Sequence, residues 1–568
     1  MNNISVKPLN IKISLGEGET IHGGLERAGV FIETPCGGNG ICGGCRVWAV
    51  EPSKIPPTPH RDISDRESAK GLRLACLAVP SCSTSILLED NYVYEKRKQN
   101  HGQIQSLSKV VDTSPPSPAV HIVRDGQEEN SSGKGFTIIH HRSYPPVSLP
   151  CWNSSMRPRG TAIDIGTTTM VVCLIDLASG KVMESEHALN PQLIHGHDVL
   201  SRIQYASTGK GLGEMASLVR KKLNMMIQEC CGRSDAQRQE IVDVTIGANT
   251  TMLQLAAAID PVPLGHIPFR ADIKGGVDHP VQLFGLDINP LARVYIPPVM
   301  HAFVGSDISA GLLLCPGFFD DTKSVLYMDM GTNGEICLNV KGRRFTTSTA
   351  AGPAFEGMGL SSGMRATDGA VEKVETKNSR LLFHVIGGQE PKGVCGSGIV
   401  DFIASLLCAG YLDTSGRLED LGEKNCPVVE NDGQRAFHYG QGAYLNQKDI
   451  RQIQLAKGAV RTGIDIILET AGIKCRELDS IYIAGGFGYH LNPSNMELIG
   501  LLPKDAADKV IFCGNASIDG SIKLLRNAEK RTFLENTLGD MEHIQLADTP
   551  GFMDTFVKNL DFTKTCQG

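Results

Sequence analysis

The chain has 568 residues, of which 41% are hydrophobic and 21% charged, and its formal net charge is −7. This length exceeds what one hydrophobic core supports, so we expect several domains. The negative charge and the lack of a basic stripe argue against a nucleic-acid partner. The sequence has no apolar run of about 18 residues, which a membrane-spanning helix would need, and no signal-peptide core at its start. We therefore expect a cytoplasmic protein that binds neither nucleic acid nor membrane.

Residues 1–95 are predicted to form a small β-rich domain around a cysteine loop. Alternating apolar residues at 4–6 and 11–15 indicate a strand hairpin, and residues 20–28 indicate a short helix capped by Thr20. Three cysteines follow at C-x5-C-x2-C spacing in a loop with five glycines, and a fourth lies downstream: Cys36, Cys42, Cys45 and Cys76. Four thiolates wrapped by glycine-rich backbone suit a 2Fe–2S cluster, in which each iron takes two protein sulfurs.

Two alternatives to this metal assignment stay open on spacing alone. A C-x2-C pair also suits zinc, although zinc ribbons normally combine two such pairs and this loop has one. Cys82, six residues after Cys76, could replace it as the fourth ligand; we favour Cys76. Most of the other cysteines are expected to be small buried residues in a reducing compartment.

Residues 96–158 change in composition and predict a flexible linker. The segment contains a charged run at 95–100, a Pro/Ser-rich run at 113–118 and a polar run at 127–134. About fifty flexible residues span roughly 40 Å root-mean-square, so the first domain is expected to swing. The short run 136–139 is the one piece that suggests a strand.

From residue 159 the pattern becomes α/β, and one strand–turn–strand motif occurs twice. Residues 161–176 and 324–338 each contain a strand, an Asp-x-Gly-Thr turn and a second strand. This repeat predicts a duplicated domain over 159–568, with lobes at about 159–320 and 321–568. An amphipathic helix at 448–471 precedes a third, glycine-rich turn at 481–488.

These turns carry the groups that a nucleotide phosphate needs. Glycine and threonine turns present backbone N–H groups and hydroxyls to phosphate oxygens. An aspartate at the end of each strand can hold Mg²⁺ through water or orient an attacking water. A P-loop is excluded, because the G-x4-G-K-[ST] motif is missing.

The order of two phosphate loops and an adenosine loop resembles the superfamily of acetate and sugar kinases, heat-shock chaperones and actin. The resemblance implies two α/β lobes of ribonuclease-H-like topology hinged around ATP and Mg²⁺. It implies that the following residues face the phosphates and Mg²⁺, with the two aspartates as catalytic residues: Asp164, Gly166, Thr167, Thr168, Asp329, Gly331, Thr332 and Asn333. It also implies that Gly485 and Gly486 lie against the adenosine.

Fusion of such an ATPase to a β-grasp ferredoxin-like domain resembles the reductive activators of corrinoid proteins. Four further stretches agree with that family: 247–252, 303–307, 350–357 and 393–398. The resemblance implies ATP-dependent one-electron reduction of an inactive Co(II) corrinoid protein to Co(I), which reactivates a methyltransferase or O-demethylase system of anaerobes. The implied partners are the corrinoid protein and an upstream electron donor, and a homodimer stays open.

Three other functions compete with this interpretation. The first is a small-molecule kinase of the acetate or sugar class with an accessory ferredoxin domain. The second is a non-enzymatic electron carrier that senses ATP. The third is an activator of a radical or dehydratase enzyme, but such activators usually hold a 4Fe–4S cluster between two subunits, and the cysteine spacing here argues against it.

Several polar residues have no settled role in the sequence. Glu356 could polarise a water, touch the partner or act as an acid at a helix N-terminus. Cys395 is expected to be a small residue packed at the start of a helix rather than a redox group. The histidines in the pairs 140–141 and 195/197 are expected at the surface, and His301 is not expected to ligate cobalt.

Overall fold

A computed structural model of the protein describes residues 2–7, 9, 11–16, 18–28, 30–32, 45–60, 63–88, 92–94, 116–124, 137–148, 152, 156–196, 198–377, 380–421, 427–431, 434–440, 442–485 and 491–563. These residues form an N-terminal mixed sheet, a small three-stranded sheet and two larger α/β lobes. The units follow one another along the chain, except that a C-terminal segment returns to pack on the first lobe.

The N-terminal unit has the predicted β-grasp arrangement. Its elements are β1 (Asn2–Lys7), β2 (Ile11–Leu15), α1 (Ile21–Arg27), β3 (Val30–Ile32), β4 (Arg46–Ala49), α2 (Asp65–Lys70), β5 (Leu72–Leu74), β6 (Thr84–Leu88) and β7 (Tyr92–Tyr94). The main sheet has the order β2-β1-β6-β4-β5, with β1 and β2 as an antiparallel hairpin and β6 parallel to β1. The predicted fold class of this domain is confirmed.

The core of this domain lies between the sheet and α1. Ile4 and Val6 of β1 are fully buried, as are Ile21 and Leu25 of α1. Burial of each such side chain contributes about 1.5–3 kcal/mol. Thr20 caps the helix as predicted, because its hydroxyl accepts a 3.3 Å hydrogen bond from the backbone N–H of Gly23.

A small sheet occupies part of the segment that composition predicts to be a flexible linker. Strands β8 (Val120–Arg124), β9 (Thr137–His141) and β10 (Tyr144–Ser148) pair antiparallel in the order β10-β9-β8. The prediction of a flexible linker over 96–158 is therefore wrong for these strands, and most of the remaining linker lies outside the described residues. The proline and polar runs dominate the average composition, whereas Val120 and Ile139 are buried against the first lobe.

Charged and polar side chains fix the β9–β10 turn to the rest of the protein. Arg142 Nη2 lies 2.6 Å from Glu535 Oε1, and Arg142 Nε lies 3.5 Å from Asp278 Oδ2. The Ser143 hydroxyl donates a 2.9 Å hydrogen bond to the same Asp278 carboxylate, and the Tyr144 hydroxyl donates to the Asp278 carbonyl at 2.8 Å. Because Asp278 is buried, these bonds hold the turn in a defined place.

The first lobe is an α/β unit with a six-stranded sheet. Its elements are β11 (Arg159–Ile165), β12 (Thr169–Asp176), β13 (Val182–Leu189), α3 (Val199–Ala206), α4 (Gly211–Ser234), β14 (Ile241–Ala248), α5 (Thr250–Ala257), β15 (Val277–Pro280), β16 (Arg293–Ile296) and α6 (Ser306–Gly311). The sheet order is β13-β12-β11-β14-β16-β15, in which β11 to β13 are antiparallel and β14 runs parallel to β11. Every residue of β14 is buried, as expected for a central strand covered on both faces.

The second lobe repeats this topology and adds two small sheets. Its elements are β17 (Ser324–Met330), β18 (Gly334–Val340), β19 (Arg343–Thr349), β20 (Ala370–Lys377), β21 (Arg380–Val385), β22 (Gly393–Val394), α7 (Gly396–Ala409), β23 (Val428–Asn431), β24 (Gln434–His438), β25 (Tyr444–Asn446), α8 (Gln447–Ala471), β26 (Ser480–Ala484), α9 (Pro493–Leu498), β27 (Val510–Gly514), α10 (Ala516–Arg526), α11 (Ala528–Thr537), β28 (Glu542–His543) and α12 (Phe552–Lys558). The main sheet order is β27-β26-β17-β18-β19-β28.

The two large sheets share one connectivity, which confirms the predicted duplication. In both, three consecutive antiparallel strands are followed by a strand that pairs parallel with the first of them. This is the ribonuclease-H-like topology implied by the resemblance. The helix predicted at 448–471 is α8, and it packs against β18 and β19 of the second sheet.

Helix α10 joins the two lobes. It follows β27 of the second lobe but packs on β11, β14 and α6 of the first. A Cβ atom at Gly520 would lie 2.0 Å from the carbonyl oxygen of Ala310, so α6 and α10 are in close backbone contact. No helix in the described part of the chain is long and apolar enough to cross a membrane.

Candidate nucleotide and cluster sites

Each of the two turns predicted as phosphate loops is closed by a hydrogen bond from the N–H of its glycine. In the β11–β12 turn the Gly166 N–H donates to the Thr169 carbonyl at 2.9 Å, and in the β17–β18 turn the Gly331 N–H donates to the Asn333 carbonyl at 2.9 Å. Asp164 and Asp329 each lie two residues before the glycine. The sequence repeat therefore corresponds to two tight turns, one in each lobe, in which the glycine N–H bonds to the carbonyl three residues ahead in the first and two residues ahead in the second.

Glu356 bridges the two turns. Its Oε2 accepts a 3.2 Å hydrogen bond from the Thr168 hydroxyl, and its Oε1 accepts a 2.6 Å hydrogen bond from the Thr332 hydroxyl. Burial raises the pKa of the Glu356 carboxyl, and the two hydroxyls oppose this shift. The structure thus brings the predicted Thr168 and Thr332 together and places Glu356, which the sequence left without a role, between them.

Buried carboxyl groups gather beside the turns. Burial, followed by the charges of Asp329 and Asp164, raises the pKa of Asp307 to about 8. Burial and the charge of Asp164 raise the pKa of Asp329 to about 7. Burial, with the charges of Asp307 and Asp329, also raises the pKa of Glu335 well above its usual range. Buried carboxylates that repel one another favour a bound cation.

Carboxylates are among the ligands of a cation that binds together with a nucleotide. Within the described residues, no three His, Cys, Asp or Glu side chains are close enough to bind one metal ion directly. Mg²⁺ usually keeps several waters and takes one or two protein carboxylates together with phosphate oxygens. The donor set therefore fits Mg²⁺ bound with a nucleotide. Sequence reasoning missed Asp307 and Glu335, although Asp307 lies in the family-like stretch 303–307.

Asp164 is held by the start of α10. Asn515 Nδ2 donates a 2.8 Å hydrogen bond to Oδ2 of its carboxylate, and the Ser517 hydroxyl donates a 2.8 Å hydrogen bond to Oδ1. Burial raises the pKa of Asp164, and these two hydrogen bonds lower it in turn. The carboxylate is therefore fixed in orientation by residues from the other end of the ATPase domain.

Three side chains donate hydrogen bonds to carbonyl and hydroxyl groups of the first turn. Arg202 Nη2 donates to the Thr167 carbonyl at 2.5 Å, and Asn190 Nδ2 donates to the Gly166 carbonyl at 2.8 Å. Asn249 Nδ2 donates to the Thr167 hydroxyl at 3.0 Å. Arg202 is fully buried, and burial lowers its pKa to about 9. These donors fix the carbonyls of Gly166 and Thr167 and the hydroxyl of Thr167, and so hold the first turn in one conformation.

The third turn begins beside the second one. Gly485 has a φ of +113°, and a Cβ atom there would lie 2.3 Å from the Met330 carbonyl oxygen. Only glycine tolerates both conditions. The predicted adenosine residue Gly485 thus lies against the end of β17, whereas Gly486 lies outside the described residues.

The structure brings two of the predicted cluster ligands together. The Sγ atoms of Cys45 and Cys76 are 3.1 Å apart, and both residues are buried. The Ala75 N–H donates to the Cys45 carbonyl at 2.8 Å, which keeps the two segments adjacent. Cys82 is exposed. Cys36 and Cys42 lie outside the described residues. The paired sulfurs fit two ligands of one iron in a 2Fe–2S cluster.

Among the other polar residues, Cys395 agrees with its prediction and His141 does not. Cys395 is buried at the N-terminus of α7, and its Sγ lies 3.3 Å from the Val371 carbonyl, as expected for a packed residue. The prediction of surface histidines is wrong for His141, which is buried 3.7 Å from Asp278. His301 stacks on His543 with ring centroids 3.5 Å apart.

Comparison with known families assigns three consecutive parts of the chain. Residues 4–81 match the 2Fe-2S iron-sulfur cluster binding domain. Residues 159–316 match the RACo middle region, and residues 323–567 match the C-terminal domain of RACo, described as the ASKHA domain. The iron–sulfur domain and the ATPase-type domain predicted from sequence are therefore both confirmed.

Individual relatives decide the family. The corrinoid activation enzyme RamQ of Eubacterium limosum is 36% identical over 418 residues, which cover 71% of this chain and 70% of that protein. The chain belongs to the family of corrinoid activation enzymes. A second relative is the [Co(II) methylated amine-specific corrinoid protein] reductase of Methanosarcina barkeri, which is 25% identical over 388 residues. These residues cover 63% of this chain and 68% of the reductase.

A solved structure extends the similarity over the whole activator. The structure of a reductive activator for corrinoid, iron-sulfur protein matches 99% of this chain and 98% of its own, with a TM-score of 0.71 and 28% sequence identity. The predicted resemblance of this corrinoid activator to the reductive activators is therefore confirmed.

Proposed function

We propose that this corrinoid activator reduces an inactive Co(II) corrinoid protein to Co(I) by one electron and requires Mg-ATP to do so. Membership of the family of corrinoid activation enzymes carries the proposal. The presence in one chain of a paired-cysteine site and of two turns bridged by Glu356 supports it. No observation favours the alternative of a small-molecule kinase.

We assign the cluster to Cys36, Cys42, Cys45 and Cys76. The 3.1 Å separation of the Cys45 and Cys76 sulfurs supports these two residues as ligands of the same iron, and the exposure of Cys82 supports Cys76 as the fourth ligand. When bound, a 2Fe–2S cluster supplies a one-electron relay. An upstream electron donor is needed to reduce it. The chain's own contribution is to bury the sulfurs and keep β4 and the 75–76 segment adjacent.

We assign the nucleotide to the region of the β11–β12 and β17–β18 turns that Glu356 bridges, here called the cleft. The backbone and side chains of the two turns, Gly166, Thr167, Thr168, Gly331, Thr332 and Asn333, would bind the phosphates. Asp164 and Asp329 would orient the waters of Mg²⁺, and Gly485 and Gly486 would lie against the adenosine. Asp307, a buried acid whose pKa is raised by burial and by the charges of Asp329 and Asp164, would lie beside this Mg²⁺ site.

Thermodynamics explains why a nucleotide is needed. Plant-type clusters have potentials near about −400 mV, and the Co(I) state of a corrinoid is expected to be a stronger reductant. Each deficit of about 59 mV makes a one-electron transfer ten times less favourable. A deficit of about 150 mV would leave only a few parts per thousand of the corrinoid reduced. Closure of the lobes on ATP can change the affinity for the Co(II) partner and so offset this deficit.

The test is an anaerobic assay with the full chain. The protein is reduced, mixed with a Co(II) corrinoid protein, and followed by the absorption band of Co(I) with and without Mg-ATP. We expect the band only with Mg-ATP, and we expect Asp329→Asn to remove it while the cluster remains reducible. Co(I) formed at the same rate without nucleotide would contradict the role of ATP. No Co(I) with several unrelated corrinoid proteins, despite a reducible cluster, would contradict the proposed activity.

A further inference from the structure

The two threonines that Glu356 binds are the residues expected to bind phosphate. Each threonine hydroxyl has one proton to donate. In this structure the Thr168 proton goes to one oxygen of Glu356 at 3.2 Å, and the Thr332 proton goes to the other at 2.6 Å. A phosphate oxygen that takes either proton must displace the glutamate. The Glu356 contact and phosphate binding therefore exclude each other at these two hydroxyls.

Charge adds to this competition. A carboxylate and a phosphate a few ångströms apart repel each other strongly in a partly buried site. The nearest cation acting on the Glu356 carboxyl is Arg365, and its effect is smaller than those of burial and the two hydroxyls. A phosphate group in the cleft would therefore drive the Glu356 side chain away from both turns.

The backbone around Glu356 transmits such a movement. The Gly352 N–H donates to the Thr332 carbonyl at 2.8 Å, just before the turn that carries Glu356. Gly357 follows with a φ of +75°, and a Cβ atom there would lie 2.6 Å from the Met364 carbonyl oxygen. The segment 357–364 is thus a closed loop that begins directly after Glu356 and requires glycine at its first position, Gly357.

The far end of this loop is bonded to the strand before α7. The Met364 N–H donates to the Val394 carbonyl at 2.9 Å, and the Val394 N–H donates to the Ser362 carbonyl at 2.8 Å. The next residue, Cys395, precedes the first turn of α7. A shift of Glu356 therefore reaches β22 and the start of α7 through hydrogen-bonded backbone.

We propose that Glu356 is a latch that occupies the phosphate-binding hydroxyls without nucleotide, joins the two lobes through Thr168 and Thr332, and is displaced by the phosphates of ATP. Its release moves the loop 357–364 and β22, so that nucleotide binding changes the position of these elements of the second lobe. The inference rests on the proposed nucleotide site. It makes Glu356 a positioning residue rather than a catalytic one.

Nucleotide affinity tests the competition. Binding of Mg-AMP-PNP and of adenosine is measured by calorimetry for the unaltered full chain, Glu356→Ala and the isosteric Glu356→Gln. We expect Glu356→Ala to bind AMP-PNP about tenfold more tightly, since a hydrogen bond to a charged group is worth about a factor of ten or more. The AMP-PNP affinity of Glu356→Gln should lie between those of the unaltered chain and Glu356→Ala, because an amide can still bridge the two turns but carries no charge. Adenosine, which has no phosphate, should bind all three equally.

Amide exchange tests the transmission. In the unaltered chain we expect AMP-PNP to speed exchange in 357–364 and 393–395. In Glu356→Ala the exchange there should be fast without nucleotide and should not respond to it. Glu372→Gln, which changes an exposed acid on β20, serves as the matched control and should behave as the unaltered chain.

Four results would overturn the latch. Unchanged AMP-PNP affinity in both Glu356 variants would show that glutamate and phosphate do not compete. Equal tightening for adenosine would show general loosening of the cleft. Unchanged affinity with hydrolysis slowed about a hundredfold in Glu356→Gln would make Glu356 a catalytic residue. If the unaltered chain binds no AMP-PNP, the proposed nucleotide site fails, and the latch fails with it.

Discussion

Ser517 donates a 2.8 Å hydrogen bond to Oδ1 of Asp164, although the two residues are 353 positions apart in the chain. Asn515 donates to the other oxygen at 2.8 Å. The contact exists because α10 leaves the second lobe and packs on the central strands of the first. The side-chain contacts of Asp164, beside the β11–β12 turn, are therefore completed only when the C-terminal part of the chain has folded onto the first lobe.

Replacement of Ser517 should impair ATP hydrolysis without disturbing the cluster. In Ser517→Ala, Asp164 loses one of its two donors, so its ionised form is less stabilised and its orientation less fixed. We expect hydrolysis to fall about tenfold, in line with the loss of one hydrogen bond to a charged group. Phosphate release is measured against Mg-ATP concentration, and iron content is measured alongside.

Ser521 offers the matched control for this change. It lies one helical turn further along α10, and its buried hydroxyl has no hydrogen-bond partner among the described residues. Ser521→Ala should therefore hydrolyse ATP at the normal rate. Equal rates in Ser517→Ala and Ser521→Ala would show that the bond to Asp164 does not matter for hydrolysis.

The parts of the site that sequence predicted are those encoded locally. A strand, an aspartate and a Gly-Thr turn are adjacent in the chain, so their repetition at Asp164 and Asp329 is visible without a structure. Ser517 and Arg202 reach the first turn from distant segments, and nothing in their own surroundings marks the contact. Glu356 lies in the family-like stretch 350–357, but that stretch does not reveal which side chains it contacts. Their roles depend on which helices and loops the fold brings to the cleft.

Averaging over long segments explains the error in the linker. The composition of 96–158 is polar and rich in proline, but three short strands within it pair with one another. The ion pairs of Arg142 with Asp278 and Glu535 connect this sheet to residues more than 130 positions away. Burial of His141 follows from the same contacts, which a local pattern cannot reveal.

Cysteine replacement should distinguish the fourth cluster ligand. In Cys76→Ser the sulfur that lies 3.1 Å from Cys45 Sγ is lost, so we expect most of the iron, the acid-labile sulfide and the visible absorption to be lost. Cys82→Ser removes an exposed thiol and should retain all three. A normal cluster in Cys76→Ser together with a lost cluster in Cys82→Ser would reverse the assignment.

Loss of Arg142 should release the β9–β10 turn. Arg142→Ala removes the 2.6 Å ion pair to Glu535 and leaves Asp278 with fewer partners, although Arg531 Nη1 still lies 3.4 Å from Asp278 Oδ1. Breaking one side of a buried ion pair costs about 3–5 kcal/mol, and we expect about 2 kcal/mol here because Arg531 remains. Hydrogen exchange in 137–148 should quicken while that of β11 stays slow.

Arg380 provides the control, because it is an exposed arginine at the start of β21. Arg380→Ala should leave exchange in 137–148 unchanged. Slow exchange in that stretch of Arg142→Ala would mean that strand pairing alone fixes the sheet, and that the charged contacts are incidental.

The stacked pair of His301 and His543 should make the fold sensitive to acid. His301 belongs to the loop before α6 of the first lobe and His543 to β28 of the second, with nearly parallel rings whose centroids are 3.5 Å apart. Burial and the neighbouring His301 lower the pKa of His543 to about 4, and burial also lowers the pKa of His301. Both rings are therefore neutral in the folded protein near pH 7.

The direction of the pH effect follows from these shifts. Unfolded histidine has a pKa of about 6.5, so the unfolded chain takes up a proton first as the pH falls. Stability is full above about pH 6.5 and is lost between about pH 6.5 and 4. At pH 5.5 the titration of His543 alone should lower the free energy of unfolding by about 1 kcal/mol.

In His543→Phe, which keeps a stacked ring but cannot titrate, the unfolding temperature should fall less between pH 7 and 5.5 than in the unaltered chain. His384→Gln, at an exposed position on β21, should keep the original dependence, and an equal fall in all three proteins would place the acid sensitivity elsewhere.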